Sequence, residues 1–272
     1  MVRMRGLAVL AFAVSTLSAA ATLDELRSAF AAGEYGRVLD LVSGSSLDGD
    51  PEAQFLVGQM FESGLGVAVD LRTALEWYIR AGKAEHSEAQ ARVGLAYEVG
   101  RGTERDYAKA LHWYYRAADA GHSEAQKNLG VMHENGLGVP VDFAKARHWY
   151  RLAADGGNPK GQRNLARLYL SGEGGDRDRD LAIRWLKAAA NQSDAKAQLL
   201  LAQLYAEPSN TAEQMTEAYF WFLVAADEFM DQDLRTNAER SAGRVAESLS
   251  PAQVTEIRAE VRKWLASRRA NE

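Results

Sequence analysis

The sequence predicts an all-α solenoid of antiparallel helix pairs, and two observations support this prediction. A tryptophan recurs at a fixed interval of 36 residues, and so does a small residue followed by glutamine. The recurring residues are Trp77, Trp113, Trp149, Trp185, Trp221, Gln54, Gln90, Gln126, Gln162 and Gln198. A fixed period of this length is typical of stacked supersecondary units, each too small to bury its own apolar face.

The first residues have the pattern of a secretory signal peptide, which we place at 1–21. Residues 1–5 contain two arginines, residues 6–17 form an apolar run, and small residues follow, with cleavage expected after Ala20 or Ala21. The run is shorter than the ~20 residues that a spanning helix needs. The chain has no cysteine for a disulfide or a lipid anchor. We therefore expect a periplasmic or secreted protein with no membrane span after cleavage.

Residues 22–52 are expected to form N-terminal capping helices. Residues 22–25, Thr-Leu-Asp-Glu, are a capping box, which predicts a helix to Ala32. Residues 36–42 align with the second helix of the repeats that follow. Such helices cover the apolar end of a repeat array.

Five repeats are predicted after this cap, and each begins with a helix that we call helix A. Their bounds are 53–88, 89–124, 125–160, 161–196 and 197–232. In the first four repeats helix A is expected to stop at a Gly-x-Gly segment, as at Gly64 and Gly66, because glycine closes a helix in the left-handed conformation without a Cβ penalty. No predicted strand precedes this segment, so we interpret it as a turn rather than a phosphate-binding loop.

The second helix of each repeat, helix B, is predicted to begin after a capping aspartate. These aspartates are Asp70, Asp106, Asp142 and Asp178. The buried stripe of helix B should pair the tryptophan with the following aromatic residue, as at Trp113 and Tyr114. We expect Trp113→Ala to cost about 3–5 kcal/mol as a core truncation. Ahead of helix A, His86 and His122 are predicted to be poorer caps than Asp or Asn at equivalent positions.

Residues 233–272 are expected to form C-terminal capping helices. A divergent helix A over 233–249 precedes a Ser-Pro-Ala-Gln capping box at 250–253, which opens an amphipathic helix. With the repeats and caps assigned, no stretch remains for a separate catalytic domain.

The best-preserved repeats identify a family resemblance. Residues 53–81 and 125–153 share the pattern A-Q-x-x-L/V-G-x-x-Y/F-E-x-G-x-G-V-x-x-D-x-x-x-A-x-x-W-Y-x-x-A. This pattern resembles the Sel-one-like repeat (SLR), a relative of the tetratricopeptide repeat (TPR), over 53–232. The resemblance implies a right-handed superhelix of antiparallel helix pairs that acts as an adaptor in protein complexes and signalling. Exported bacterial members include regulators of exopolysaccharide production, envelope-assembly factors and host-interaction proteins, and the cysteine-rich members bind antibiotics or cell-wall fragments.

The residues do not indicate a nucleic-acid, metal, cofactor or catalytic site. A net charge of -5 with no block of Lys and Arg gives no footprint for phosphates. Equivalent histidines of adjacent repeats should lie ~10 Å apart, the spacing of packed helices, whereas two ligands of one zinc lie within about 4 Å. We predict no catalytic residue, no cofactor and no metal.

Two sets of polar residues that recur from repeat to repeat are expected to have structural roles. Glu62, Glu98 and Glu134 have no recurring partner for acid–base chemistry, so solvated or loop-bonding carboxylates are expected. The recurring glutamines are expected to bond neighbouring backbone, since an amide both donates and accepts.

Protein binding is predicted where the repeats differ, because positions fixed by packing recur and positions free of packing do not. On helix A this selects residues that run from apolar to basic and suit an extended or acidic peptide. They are Phe55, Gln59, Arg92, Leu95, Lys127, Asn128, Val131, Arg163, Asn164 and Arg167. An unselected solvated face is the alternative. We expect charge reversal at Lys127, Arg163 and Arg167 to leave folding intact.

These observations together predict a non-enzymatic exported adaptor or scaffold that binds a protein on a solenoid surface. It would regulate an envelope signalling, secretion or polysaccharide system, with a receptor's periplasmic domain or an envelope complex as partner. A structural subunit of a motility or export assembly is the alternative. A cell-wall-associated hydrolase or binding factor is the third hypothesis, and it requires a titratable cluster in a pocket.

Overall fold

The computed structural model describes residues 22–43, 46–207 and 211–270, so the predicted signal peptide lies outside the described residues. Within them the chain forms fourteen α-helices, a short 3-10 helix at Ser46–Gly49, and no strand. The helices are α1 (Leu23–Ala31), α2 (Tyr35–Val42), α3 (Pro51–Ser63), α4 (Leu71–Lys83), α5 (Ser87–Val99), α6 (Tyr107–Asp119), α7 (Ser123–Asn135), α8 (Phe143–Asp155), α9 (Pro159–Ser171), α10 (Arg179–Ala190), α11 (Ala195–Tyr205), α12 (Ala212–Glu228), α13 (Gln232–Ala246) and α14 (Pro251–Arg269). None of these helices combines the length and apolarity that a membrane span requires.

Side-chain caps set the starts of the repeat helices. The side chain of Asp106 accepts a hydrogen bond from the backbone N–H of Lys109, and Asp142 does the same for Lys145. His122 also caps, because its Nδ1 accepts from the N–H of Ala125 at 3.2 Å. The prediction that the histidines are poorer caps missed this contact, since an imidazole lone pair reaches the amide that a carboxylate would reach.

Glycines end helix A in the first four repeats, as predicted. Gly64, Gly100, Gly136 and Gly172 adopt φ between 69° and 79°, the left-handed region that residues with a Cβ rarely enter. The amide of each one donates to the carbonyl four residues earlier. In the fifth repeat Ala206 ends the helix at φ -86° instead.

The helices form two compact units, one ending at Ala84 and the other beginning at Glu85. In the first unit, α1 to α4 enclose a core that includes Leu26, Val38, Val57 and Met60. In the second unit, consecutive helices from α5 to α13 pack as antiparallel pairs, and α14 packs against α12. The predicted capping segments are therefore helical: α1 and α2 at one end of the chain, α13 and α14 at the other.

Tyrosine, rather than tryptophan, occupies the centre of the core in the repeats. Tyr114 and Tyr150 are fully buried, whereas Trp113 retains 8% of its surface and Trp149 is only partly buried. In the fourth repeat the fully buried Leu186 takes the place of the tyrosine. The tryptophans therefore lie at the margin of the aromatic layer that the sequence predicts.

Candidate functional site

Each of the first three repeats contains a tyrosine–glutamate pair that joins helix B to helix A. The hydroxyl groups of Tyr78, Tyr114 and Tyr150 donate to Glu62, Glu98 and Glu134 at 2.7, 2.6 and 2.7 Å. These contacts correct the prediction that no partner recurs for the glutamates. The two residues of a pair are 16 positions apart in sequence, on either side of the glycine turn. Helical periodicity indicates neighbours within one helix, so it does not predict such a contact.

The surroundings of these tyrosines keep their hydroxyl groups protonated, so they serve as hydrogen-bond donors within the fold. Burial, and after it the hydrogen bond to the carboxylate, raises the pKa of the Tyr114 and Tyr150 hydroxyls well above the ordinary value. In the fourth repeat the two positions hold Leu186 and Leu170. Both polar residues are replaced there by leucine, which indicates that the two side chains pack against each other as a pair.

The recurring glutamines bond the backbone, as predicted. The Nε2 atoms of Gln126, Gln162 and Gln198 donate to carbonyl oxygens eight residues earlier at 3.1 to 3.2 Å. Gln54 donates to the carbonyl of Asp48 at 2.7 Å. The amides of Gln126, Gln162 and Gln198 tie the start of a helix A to the end of the preceding helix B, and that of Gln54 ties α3 to the 3-10 helix.

The residues that cap α7, α9 and α11 also contact the preceding helix A, which is α5, α7 or α9. His122 Nε2 lies 2.7 Å from Glu88 Oε2, and Asn158 Nδ2 donates to Glu124 Oε2 at 2.8 Å. Asp194 accepts from Arg163 Nη1 at 2.6 Å. We call these three contacts the cap joints. Sequence reasoning identified the caps but not the second contact, whose partners lie 31 to 34 residues apart.

The first cap joint predicts a response to acid. The hydrogen bond from His122 lowers the pKa of Glu88 from its ordinary value of 4.5 to about 2. A carboxyl whose pKa is lowered on folding stabilises the fold above its unfolded pKa, and this stabilisation is lost as pH falls from about 4.5 to about 2. Urea unfolding at pH 7 and pH 3 should show that Glu88→Gln destabilises the protein more at pH 7.

Other carboxylates titrate in the same range, so the measured quantity is the difference in unfolding free energy between wild type and Glu88→Gln. Glu104→Gln is a suitable control, because Glu104 is exposed in the turn between α5 and α6. A difference for Glu88→Gln that stays constant between pH 7 and pH 3 would contradict the role of this joint.

The basic residues of the predicted binding set are held in ion pairs. Lys127 contacts Glu124 at 2.6 Å and Arg163 contacts Asp194, and these two cationic side chains are only 14% and 22% exposed. Arg167 pairs with Glu134. Their charges are therefore already partnered within the chain, which weakens the prediction that they serve an acidic peptide.

Charge reversal at Lys127 and Arg163 would break contacts at the starts of α7 and α11, so we expect it to destabilise the fold rather than leave folding intact. A buried or half-buried charge that loses its partner is destabilising. Arg163 matters most in this respect, because its partner Asp194 is nearly buried and also caps α11.

The other predicted residues of the second unit lie together on α5, α7 and α9. Leu95 is 38% exposed, and Val99, one turn later, is 57% exposed. Asn128, Val131 and Asn164 are partly exposed. Since α7 packs beside both α5 and α9, these side chains form one surface, which we call the variable face. Arg92 lies beside it and pairs with Glu88 at 3.1 Å.

The two predicted residues of the first unit are described separately. Phe55 is partly buried, and its ring packs against that of Tyr78 with centroids 5.5 Å apart. Gln59 is also partly buried on α3. Phe55 therefore contributes to packing within its own repeat.

The histidines of the second unit are dispersed over its surface and core. His112 and His148 are exposed, and each lies edge-on to the tryptophan that follows it. His133 is buried, with Nε2 2.8 Å from the hydroxyl of Tyr115. In the described part of the chain, no three His, Asp or Glu side chains converge as a metal site would require.

Comparisons with known proteins agree with this architecture. A crystal structure of a Sel1 repeat protein from Oxalobacter formigenes is 25% identical, covers 92% of this chain and 100% of its own, and superposes with a TM-score of 0.74. A protective antigen of uropathogenic Escherichia coli with an SLR fold is 23% identical, with 88% of this chain and 57% of that one covered and a TM-score of 0.66. No curated protein sequence gives a match.

The repeats themselves match a sequence family. The model of the Sel1 repeat matches residues 51–86, 87–122, 123–158, 159–194 and 195–228. These bounds begin two residues before those read from the tryptophan and glutamine periods, at the first turn of each helix A. The chain belongs to the Sel1 repeat family.

Proposed function

We propose that this chain is an exported, non-enzymatic adaptor that binds a protein partner through the variable face. Sel1 repeat proteins are generally protein-interaction scaffolds, and the fold is typically non-catalytic. Export is supported by the signal-peptide pattern of residues 1–21. The partner would then be a protein of the cell envelope or its surroundings.

The separation of recurring and varying positions on helix A supports this proposal most directly. Recurring residues, such as Ala125 and Gln126 on α7, are buried, and the Gln126 amide donates to the backbone of the preceding helix. Varying positions, such as Leu95 and Asn128, lie at the surface. Burial does not fix the residue at an exposed position such as 95, whereas recognition of a partner would account for an apolar side chain there.

The chemistry of the variable face indicates the kind of contact it makes. Its aliphatic side chains, Leu95, Val99 and Val131, lie beside the amide side chains of Asn128 and Asn164. The neighbouring cations are neutralised within the chain. We therefore expect the variable face to hold its partner by apolar contact and hydrogen bonds, so that this contact depends little on salt.

Site-specific photo-crosslinking in cells tests the proposal. A benzophenone amino acid at Leu95 or Asn128 should give the same discrete crosslinked product, identified by mass spectrometry. The controls are His112 and His148, which are exposed on α6 and α8 and should give no such product. Adding Val99→Asp should suppress the product from Asn128, because a charge in an apolar contact is costly.

Equal crosslinking from all four positions, or a discrete product from His112 and His148 alone, would contradict the proposal. The crosslinked variants must also melt like wild type by circular dichroism. Exposed positions satisfy this condition, since surface substitutions usually change stability by less than about 0.5 kcal/mol.

A further inference from the structure

A cleft of about 410 Å³ opens between α11, α12 and α13, in the second unit. Its apolar lining includes Met215, Phe222 and Val245. Phe222 and Val245 belong to the buried core, so the floor of the cleft is continuous with it. The cleft is large enough for one apolar side chain and the backbone that carries it.

One side of the cleft is polar and organised by hydrogen bonds along α13. Ser241, which is 7% exposed, accepts from Arg244 Nη2 at 3.1 Å. Asn237 and Arg244 also line an adjoining recess of about 340 Å³, together with Arg240. The guanidinium of Arg240 donates to the carbonyl of Thr236 at 3.3 Å. Arg244 therefore lines the cleft itself, and Arg240, one helical turn away, lines the recess beside it.

These two arginines differ from the ion-paired cations on helix A of the preceding repeats. Lys127, Arg163 and Arg167 each pair with a carboxylate. Within the described ranges, no carboxylate oxygen lies within 4.0 Å of the guanidinium of Arg240 or Arg244. The positive charge beside the cleft is thus not neutralised by the described part of the chain, and it complements a carboxylate of a partner.

We propose that this cleft binds an extended acidic peptide segment of the protein partner, with one apolar side chain in the cleft and flanking Asp or Glu side chains on Arg240 and Arg244. The inference rests on the proposed adaptor function and locates a specific contact within it. Residues four apart on a helix are separated by ~6 Å along the axis. Alternate side chains of an extended peptide are separated by about 6.6 Å and lie on the same side, so two acidic side chains match the two arginines of α13. The apolar side chain between them points the opposite way, toward Met215 and Phe222 of α12.

The test is fluorescence anisotropy with the mature chain and a labelled peptide that contains Glu-Leu-Glu between Gly-Ser spacers. The double variant Arg240→Gln and Arg244→Gln should weaken binding about tenfold. The matched control, Arg262→Gln with Lys263→Gln, removes the same charge from exposed positions on α14 and should bind like wild type. Peptides with Gln-Leu-Gln or Glu-Ser-Glu should each bind more weakly.

Several outcomes would overturn the inference: no binding of the Glu-Leu-Glu peptide to wild type, equal weakening by both double variants, or equal binding of a Lys-Leu-Lys peptide. Circular dichroism melts of both double variants establish that they fold. If the peptide does not bind but the variable face gives discrete crosslinked products, the proposed cleft site is refuted and the adaptor function stands. If the crosslinks fail but the peptide binds selectively, the cleft would be kept and binding through the variable face would be refuted.

Discussion

Replacing Tyr114 with alanine is expected to destabilise the protein by about 3–5 kcal/mol. The side chain is fully buried between helices α5 and α6 and donates to Glu98 at 2.6 Å. Its removal leaves a cavity and a carboxylate without its donor. Urea unfolding followed by circular dichroism measures the change.

The matched control is Tyr114→Phe, which keeps the ring and removes only the hydroxyl. It should cost about 1–3 kcal/mol, the range for a partly buried acceptor that loses its partner. If Tyr114→Ala costs no more than Tyr114→Phe, the ring is not a core element, and the assignment of the aromatic layer would fail.

Replacing Gly94 with alanine is expected to destabilise the protein by about 1–3 kcal/mol, although alanine is the better helix former. A Cβ at Gly94 would lie 2.5 and 2.6 Å from ring atoms Cδ1 and Cε1 of Tyr114. The ring is fully buried, so it has no space into which it can move. Thermal or urea unfolding of the variant should show the loss.

Gly243→Ala provides the control for helix propensity. Gly243 lies within α13, and a Cβ there would meet nothing within 4 Å. This change should therefore be neutral or stabilising, by up to about 1 kcal/mol. A stabilising effect of Gly94→Ala as well would show that the close approach to Tyr114 imposes no constraint.

The fourth repeat suggests how the clash can be relieved. It has Ala166 and Leu186 at the positions of Gly94 and Tyr114. In a double-mutant cycle, Gly94→Ala should therefore cost less in a Tyr114→Leu background than in the wild type. If Gly94→Ala lowers the free energy of unfolding equally in the two backgrounds, its cost does not arise from contact with the Tyr114 ring.

The order and type of the helices could be predicted from the sequence because they depend on local signals. Periodic apolar residues, capping side chains and a left-handed glycine act within a few residues of one another. The glycine turns at Gly64 and Gly136 and the capping box at Thr22 are confirmed for this reason.

The contacts of the candidate site could not be predicted in the same way, because their partners are distant in sequence. Variation between repeats indicated that Lys127 and Arg163 are not core residues, but it did not show which carboxylates neutralise them. The pair of Arg163 and Asp194 spans 31 residues. Arg240 and Arg244 escaped notice because α13 departs from the repeat pattern from which candidates were chosen.

The cap joints and the family bounds together bear on how such an array grows by duplication. Three of the five matched segments each contain both halves of one joint: Glu88 with His122 in 87–122, Glu124 with Asn158 in 123–158, and Arg163 with Asp194 in 159–194. A tandem copy of any such segment therefore brings its own compatible junction. The chemistry of each junction can then diverge without regard to its neighbours, as three different residue pairs in three consecutive segments illustrate.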